Sequence, residues 1–168
     1  MIYHPESNGI FVSDRAADGT CKVFNGENYE LVKSIKLAVG ADNAAYDAPS
    51  HYQYVSAGGC HAGMPITLIA IVSALNGQHL GDIPVDSVNI QAMAFESSGP
   101  KMYADLADVN KIAVIDREKR SIITTWSLAP QCQKPYALSL DSAHHRLLSG
   151  AVCSRRKRNG GSQEKCSF

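Results

Sequence analysis

The sequence lacks the features that define several large protein classes. It has no run near the roughly 20 apolar residues that a membrane span needs. Its longest apolar-rich stretch, Ile66 to Leu75, is interrupted by Thr67 and Ser73. The first six residues, Met1 to Glu6, contain neither a basic segment nor an extended apolar one, so they do not form a signal peptide. We therefore expect no membrane partner, and the sequence leaves the cellular location open.

Cysteine pairs and catalytic motifs are also missing. The 5 cysteines are odd in number, irregularly spaced and never arranged as CxxC, which predicts neither a zinc site nor a disulfide framework. No H-E-x-x-H, G-x-S-x-G or phosphate-binding loop occurs. The sequence thus indicates no catalytic residue, no metal site and no cofactor.

The absence of net charge conceals two different regions. Lys and Arg together number 16, as do Asp and Glu, but five of these cations and one anion lie from Ser154 onward. The first 153 residues therefore carry a net charge of −4, which gives no reason to expect nucleic acid or an anionic membrane as a partner. We expect the basic segment 153–168 to be a disordered tail, since Gly160, Gly161 and Ser162 follow its cations without an apolar pattern.

What the sequence does contain is an internal repeat. An apolar residue followed by a polar one recurs 43, 49 and 45 residues apart, and another apolar residue comes seven positions after each polar one. Turn-forming Gly, Pro, Asn and Ser residues lie between the two positions. The pairs are Tyr3-His4, Tyr46-Asp47, Phe95-Glu96 and Leu140-Asp141, and the later residues are Phe11, Tyr54, Tyr103 and Leu148.

A second half-repeat starts at Asn25, Ser73 and Asp116, which we expect to cap turns through side chain–backbone bonds. An apolar, strand-like run precedes each start, and apolar residues follow at offsets of seven, ten and twelve. The residues at offset seven are Val32, Leu80 and Ile123. Those at offset ten are Ile35, Ile83 and Trp126, and those at offset twelve are Leu37, Val85 and Leu128. Because Trp126 shares a position with two isoleucines, we predict that it lies in the core.

Four short strands in about 43–49 residues are typical of a β-propeller blade. The sequence therefore predicts an all-β fold, an incomplete β-propeller built of four-stranded antiparallel blades. The predicted blades cover about 1–40, 41–87 and 88–131, with an incomplete fourth at 132–152. No Ile, Leu or Val follows Val152, so the pattern stops within the fourth blade.

Three segments resemble the Tyr-Val-Thr-Asn strand of the YVTN-type (YncE-like) β-propeller family: Phe11-Val12-Ser13-Asp14, Tyr54-Val55-Ser56-Ala57 and Met102-Tyr103-Ala104-Asp105. Lys111 to Asp116 and the strand after it are similar to that family's V-x-V-I-D hairpin. The resemblance implies a seven-bladed propeller and, since members are often exported, a periplasmic or extracellular location.

About three and a half blades are present, which leaves two explanations open. The chain is a fragment or frameshifted product of a longer protein, or it is a half-propeller that pairs with another copy. In either case we expect open blade edges to expose unpaired backbone groups and to make the polypeptide self-associate or dissolve poorly. No other partner is indicated.

Two loops contain candidate site residues. The glycine-rich insertion Gly58 to Pro65 holds Cys60 and His61, a metal-ligand pair or a nucleophile with its base; the favoured alternative is a flexible loop, because adjacent extended residues point to opposite faces.

Asp105, Asp108 and Asn110 form a predicted acidic turn, whose oxygen atoms suit calcium or simply close the turn. His144 and His145 are expected to be exposed turn residues.

Two classes of function follow from this pattern. The favoured one is a non-catalytic binding or scaffold propeller of unknown ligand, because propeller function depends on individual sites and no catalytic set is visible. The alternative is part of a lactonase-like or quinoprotein-like enzyme. Such an enzyme needs carboxylates or a metal from several blades.

Overall fold

The computed structural model describes residues 1–16 and 18–153, and the chain forms two compact units that divide between Val88 and Asn89. Nearly all regular structure in these residues is antiparallel β-sheet. Of the segment predicted to be a disordered tail, Cys153 is the last residue of a strand, and 154–168 lie outside the described residues. No helix among the described residues is long and apolar enough to cross a membrane.

The first unit contains two four-stranded sheets in which each strand pairs with the next along the chain. The strands of the first sheet are β1 (Ile2–His4), β2 (Gly9–Asp14), β3 (Thr20–Asn25) and β4 (Leu31–Lys36). Those of the second are β5 (Ala44–Asp47), β6 (Tyr52–Gly58), β7 (Thr67–Ser73) and β8 (His79–Val85).

The second unit contains a third four-stranded sheet and a hairpin. The sheet is formed by β9 (Met93–Phe95), β10 (Lys101–Leu106), β11 (Lys111–Asp116) and β12 (Ser121–Ser127). The hairpin is formed by β13 (Cys132–Asp141) and β14 (Arg146–Cys153), with the exposed His144 and His145 in its turn. The second strand of each four-stranded sheet carries one of the YVTN-like segments.

Two of the three predicted turn caps are confirmed. Asn25 Oδ1 accepts hydrogen bonds from the backbone amides of residues 27 and 28, at 2.8 and 3.3 Å. Asp116 Oδ1 accepts equivalent bonds from residues 118 and 119, at 3.0 and 2.9 Å. At Ser73 the turn is closed by the backbone carbonyl, which accepts from Gly77 N at 2.9 Å, as the Asn25 carbonyl also does from Tyr29 N at 3.0 Å.

The residue at offset seven of the second half-repeat is a β-bulge in all three sheets. The pairing of β3 with β4, of β7 with β8 and of β11 with β12 each shifts by one position, and the shift omits Val32, Leu80 and Ile123 respectively. A bulge bends its strand and increases the local twist. The constant spacing in the sequence therefore marks a recurring bulge in the fourth strand of each sheet.

The core of the first unit lies between its two sheets. Small and branched side chains from both sheets form one buried cluster, which includes Phe11, Val23, Ile35, Ala70 and Val72. Beside it, His4 Nε2 lies 2.7 Å from Gln53 Oε1, and Gln53 Nε2 donates to Cys21 Sγ at 3.8 Å. All three of these polar residues are completely buried, so the network fixes how the two sheets meet.

The core of the second unit is smaller. Tyr103, Ile112 and Val114 of the third sheet are buried, and partly buried leucines pack against them. Three of these leucines belong to the hairpin: Leu138, Leu140 and Leu147. The hairpin therefore packs against β10 and β11, the inner strands of the third sheet.

Candidate functional site

Trp126, the only tryptophan of the chain, lies on β12 at the edge of the third sheet. Its partner across the ladder is Ile112, which is buried, but Trp126 itself is 47% exposed. Its ring packs on Tyr103, with ring centroids 5.6 Å apart. The prediction that Trp126 is a core residue is therefore wrong, although Ile35 and Ile83 at the equivalent positions are 4% and 0% exposed.

Trp126 forms one wall of an apolar cleft of about 390 Å³ within the second unit. One side of this cleft is the third sheet with the segment that follows it, and the other is the hairpin. We call this cavity the Trp126 cleft. It is lined by Ile112, Trp126, Ser127, Leu128, Ala129, Cys132, Leu147, Ser149 and Ala151. Apolar side chains dominate this set, and it contains no Asp, Glu, Lys, Arg or His.

One polar atom in the Trp126 cleft has no partner. The hydroxyl oxygen of Ser149 is buried and makes no hydrogen bond within the protein. A buried hydroxyl without a partner costs free energy. The cleft therefore offers a mainly apolar surface, which is the composition expected of a site that takes an apolar ligand or side chain.

The equivalent face of the first sheet is covered. There the turn between β7 and β8, residues 74–77, lies on β4: Lys33 Nζ donates to Asn76 O at 3.1 Å. Gly77 approaches so closely that a Cβ added to it would lie 3.2 Å from Cδ1 of Ile35. Ile35 is buried in the core of this unit and also contacts this turn. Trp126 occupies the same repeat position on a face that has only the two-stranded hairpin beside it.

The predicted insertion lies between β6 and β7, as expected, but it is not a loose loop. Residues 59–62 form a 3₁₀ turn. Gly59 N donates to Ile66 O, and Cys60 N donates to Val88 O, both at 2.9 Å. Gly59 has φ of +62°, and a Cβ there would lie 2.3 Å from the Val88 carbonyl oxygen. A glycine is therefore required where the turn touches the backbone of residue 88.

Cys60 and His61 are held at the surface of this turn. The Cys60 thiol is exposed and free. His61 Nε2 lies 3.7 Å from Asp42 Oδ2, and Arg15 Nη2 lies 3.0 Å from the other oxygen of the same carboxylate. Within the described ranges, no three His, Cys, Asp or Glu side chains are grouped so that they could hold a metal ion. His61 thus lies near a carboxylate that the sequence did not suggest.

Asp105 does not belong to the acidic turn in which it was expected. It lies in β10 and is completely buried, whereas Asp108 lies in the exposed turn that follows. Asp105 Oδ1 accepts hydrogen bonds from Gln91 N at 2.6 Å and Ala92 N at 2.8 Å. Burial raises the pKa of this carboxyl to about 6, against the lowering effect of the two amides. The two aspartates are therefore not brought together as calcium ligands.

The position of Asp105 has the same structural role in the second and third sheets. Ser13 and Ser56 lie at the same point of β2 and β6, two residues after the large aromatic residue. Ser56 Oγ accepts from Asn43 N at 3.1 Å, at the entrance to β5. The bonds of Asp105 hold the entrance to β9 in the same way. In the second and third sheets this polar residue thus anchors the chain that leads into its own sheet, whereas the Ser13 hydroxyl of the first sheet donates to Asp42 O before β5.

Comparison with known proteins supports the fold alone. No protein-family model matches the chain, and no curated protein matches it either. Among solved structures, hydrazine synthase of Kuenenia stuttgartiensis is similar, with a TM-score of 0.74 and 12% sequence identity. The match covers 90% of this chain, which spans 43% of the length of that one.

Hydrazine synthase contains a β-propeller. The predicted fold class, all-β with four-stranded antiparallel propeller blades, is confirmed. The resemblance to the YVTN-type family has no family match to support it.

Proposed function

We propose that the protein is a non-catalytic β-propeller module of the YVTN type and that it binds a protein partner through the Trp126 cleft. The observation that carries the proposal is the exposure of Trp126 on an apolar face that is covered at the equivalent place in the first sheet. An exposed tryptophan in a concave apolar surface is typical of the central residues of binding interfaces.

The carboxylates favour binding over the enzyme alternative. A lactonase-like or quinoprotein-like site needs several carboxylates that converge on one ligand. Asp47, Asp105 and Asp116 are the buried carboxylates of the described residues. Each accepts a hydrogen bond from a backbone amide or a hydroxyl group of its own sheet. These bonds hold turns and strand entrances, and each of the three carboxylates lies in a different sheet or turn of the repeat.

A peptide selection tests the proposed function. Peptides displayed on phage are selected for binding to the chain, and their affinities are measured for three proteins: the wild type, Trp126→Ala and Val32→Ala. Val32 is a matched control, since it is an exposed residue of the outer strand β4. We expect affinity to fall at least about tenfold with Trp126→Ala and to be unchanged with Val32→Ala.

Two results would contradict the proposal. One is selected peptides whose affinity is the same for all three proteins, because the site would then lie elsewhere. The other is turnover of a lactone by the purified chain with added calcium, at a rate above that of the buffer. Turnover would favour the enzyme alternative.

A further inference from the structure

A second cavity, of about 290 Å³, lies within the first unit where turns of its two sheets meet. The β1–β2 and β3–β4 turns of the first sheet form one side of it, and the 74–77 turn of the second sheet forms another. Phe11 and Val23, which are 1% and 8% exposed, give it an apolar floor. Its volume is close to the lower end of about 300–1,000 Å³ for cavities that hold a small molecule. We call it the Lys33 cavity.

Two carboxamide groups line the Lys33 cavity in a fixed orientation. Asn25 Oδ1 accepts from the amides of residues 27 and 28, and Asn76 Oδ1 accepts from Gln78 N at 3.0 Å. The oxygen of each group is identified by these bonds, because the nitrogen of a carboxamide cannot accept. Within the described residues neither Nδ2 group donates a hydrogen bond. Both are therefore donors that a ligand can use.

Lys33 adds a positive charge to this set of donors. Its Nζ donates to Asn76 O at 3.1 Å, which leaves two of the three N–H groups of the ammonium. In the described part of the chain Lys33 forms no ion pair, and no Asp or Glu lines the cavity. Glu27 and Glu30 belong to the β3–β4 turn but are not among the lining residues. The cavity thus offers donors and a cation without a compensating carboxylate.

The third sheet shows that the turn itself does not need the donor of Asn25. Asp116 holds the same repeat position and accepts from the two equivalent amides, at 3.0 and 2.9 Å. Its second oxygen lies 3.5 Å from Lys119 Nζ. A carboxylate therefore closes this turn as well as a carboxamide does. What the carboxamide adds in the first sheet is an N–H group that faces no partner.

We infer that the Lys33 cavity binds a small organic carboxylate with an apolar body. The carboxylate accepts a charge-assisted bond from Lys33 Nζ and further bonds from the Nδ2 groups of Asn25 and Asn76. The apolar body lies on Phe11 and Val23, which excludes water from them. This site goes beyond the proposed function, since it takes a different class of ligand and uses none of the residues of the Trp126 cleft.

An NMR titration of the ¹⁵N-labelled chain of 168 residues tests the inference with three probes. Benzoate has the charge and the apolar body, benzamide has nearly the same shape without the charge, and inorganic phosphate has charge without the apolar body. We expect benzoate to bind saturably with Kd of about 1 mM or below. Benzamide and phosphate should each bind at least about tenfold more weakly. The side-chain N–H signals of Asn25 and Asn76 should shift with benzoate.

Three variants locate the binding. Lys33→Met removes the cation, and we expect the affinity for benzoate to fall at least about tenfold. The matched control is Lys36→Met on the same strand, because Lys36 Nζ also donates to a backbone carbonyl, that of Asp18, but does not line the cavity. Its affinity should be unchanged. Asn25→Asp keeps the acceptor of the turn, as Asp116 does, but replaces the donor by a negative charge, and should also lose at least about tenfold.

Urea midpoints of all three variants, measured beside the titrations, separate lost binding from lost folding. The inference is overturned if benzoate does not saturate, or if folded Lys33→Met and Asn25→Asp bind it as the wild type does. It is also overturned if benzamide matches benzoate, since the charge would then not matter, or if phosphate matches it, since the apolar floor would then not matter. None of these results bears on peptide binding at Trp126, so the proposed function is tested separately.

Discussion

The first and third sheets have the same strand pattern but differ in how far their faces are covered. Each has four antiparallel strands, a YVTN-like second strand and a bulge in the outer strand. In the first sheet the residue at offset ten, Ile35, is covered by the 74–77 turn, whereas in the third the corresponding Trp126 is half exposed. The same local pattern thus gives a core residue in one sheet and a surface in the other. The difference lies in what stands against each sheet.

The largest expected effect is the contrast between Ile35→Ala and Trp126→Ala. Removing the buried Ile35 side chain should cost about 2–5 kcal/mol of unfolding free energy, because it leaves a cavity in a closed core. Trp126→Ala should cost less than about 2 kcal/mol, since half of the ring is in water and its main loss is the contact with Tyr103. Urea unfolding followed by circular dichroism measures both.

Val32→Ala is the control for this pair, and as an exposed substitution it should change stability by no more than about 0.5 kcal/mol. If Trp126→Ala costs as much as Ile35→Ala, the face of the third sheet is covered in solution and the contrast between the two sheets is lost.

The next effect comes from Asp105, which stands where the first two sheets have serine. Its folded-state pKa of about 6 lies above the ordinary value of 3.8, so the folded protein holds this proton more tightly than the unfolded chain. The contribution is complete below about pH 4 and is lost as the pH rises through 6. Asp105→Asn keeps an acceptor for the two amides and should stabilise the protein at pH 7 by about 1–3 kcal/mol.

Urea midpoints of the wild type and of Asp105→Asn, measured from pH 4 to pH 7, check this prediction. The wild-type midpoint should fall relative to the variant as the pH rises. Asp105→Ser, which installs the residue of the other two sheets, should remove the same pH dependence. A wild-type curve parallel to that of Asp105→Asn would show that this carboxyl does not titrate differently on folding.

The smallest effect concerns the contact that covers the first sheet. Lys33→Met removes the hydrogen bond from β4 to Asn76 O and should cost about 0.5–1 kcal/mol. The matched control is Thr124→Met, at the same repeat position of the third sheet, which is exposed and should lose nothing measurable. Equal losses in both variants would mean that the 74–77 turn contributes no stability at this point.

Much of the fold could be predicted from the repeat. Constant offsets from Asn25 and Asp116 located the turns, because Asn and Asp side chains bond to the amides that follow them. The offset of seven was constant because it marks the bulge at Val32, Leu80 and Ile123. The insertion after β6 was also located correctly, although its hydrogen bonds to residues 66 and 88 could not be foreseen.

The candidate site could not be predicted in the same way. Asp105 looked like a turn residue because Asp is common in turns, but its burial depends on the amides of residues 91 and 92. Trp126 looked like core because its repeat position is core elsewhere. Neither outcome is encoded within the segment itself, since each depends on the chain that packs against it.

The sequence by itself determined the length of the repeat, the turns and the four-stranded antiparallel pattern of each sheet. These follow from local preferences and from the alternation of apolar residues, which act within a few positions of the chain. Only the tertiary structure decided which faces are closed. Burial is a property of two surfaces in contact, so the open face at Trp126 appears only when the third sheet and the two-stranded hairpin are seen together.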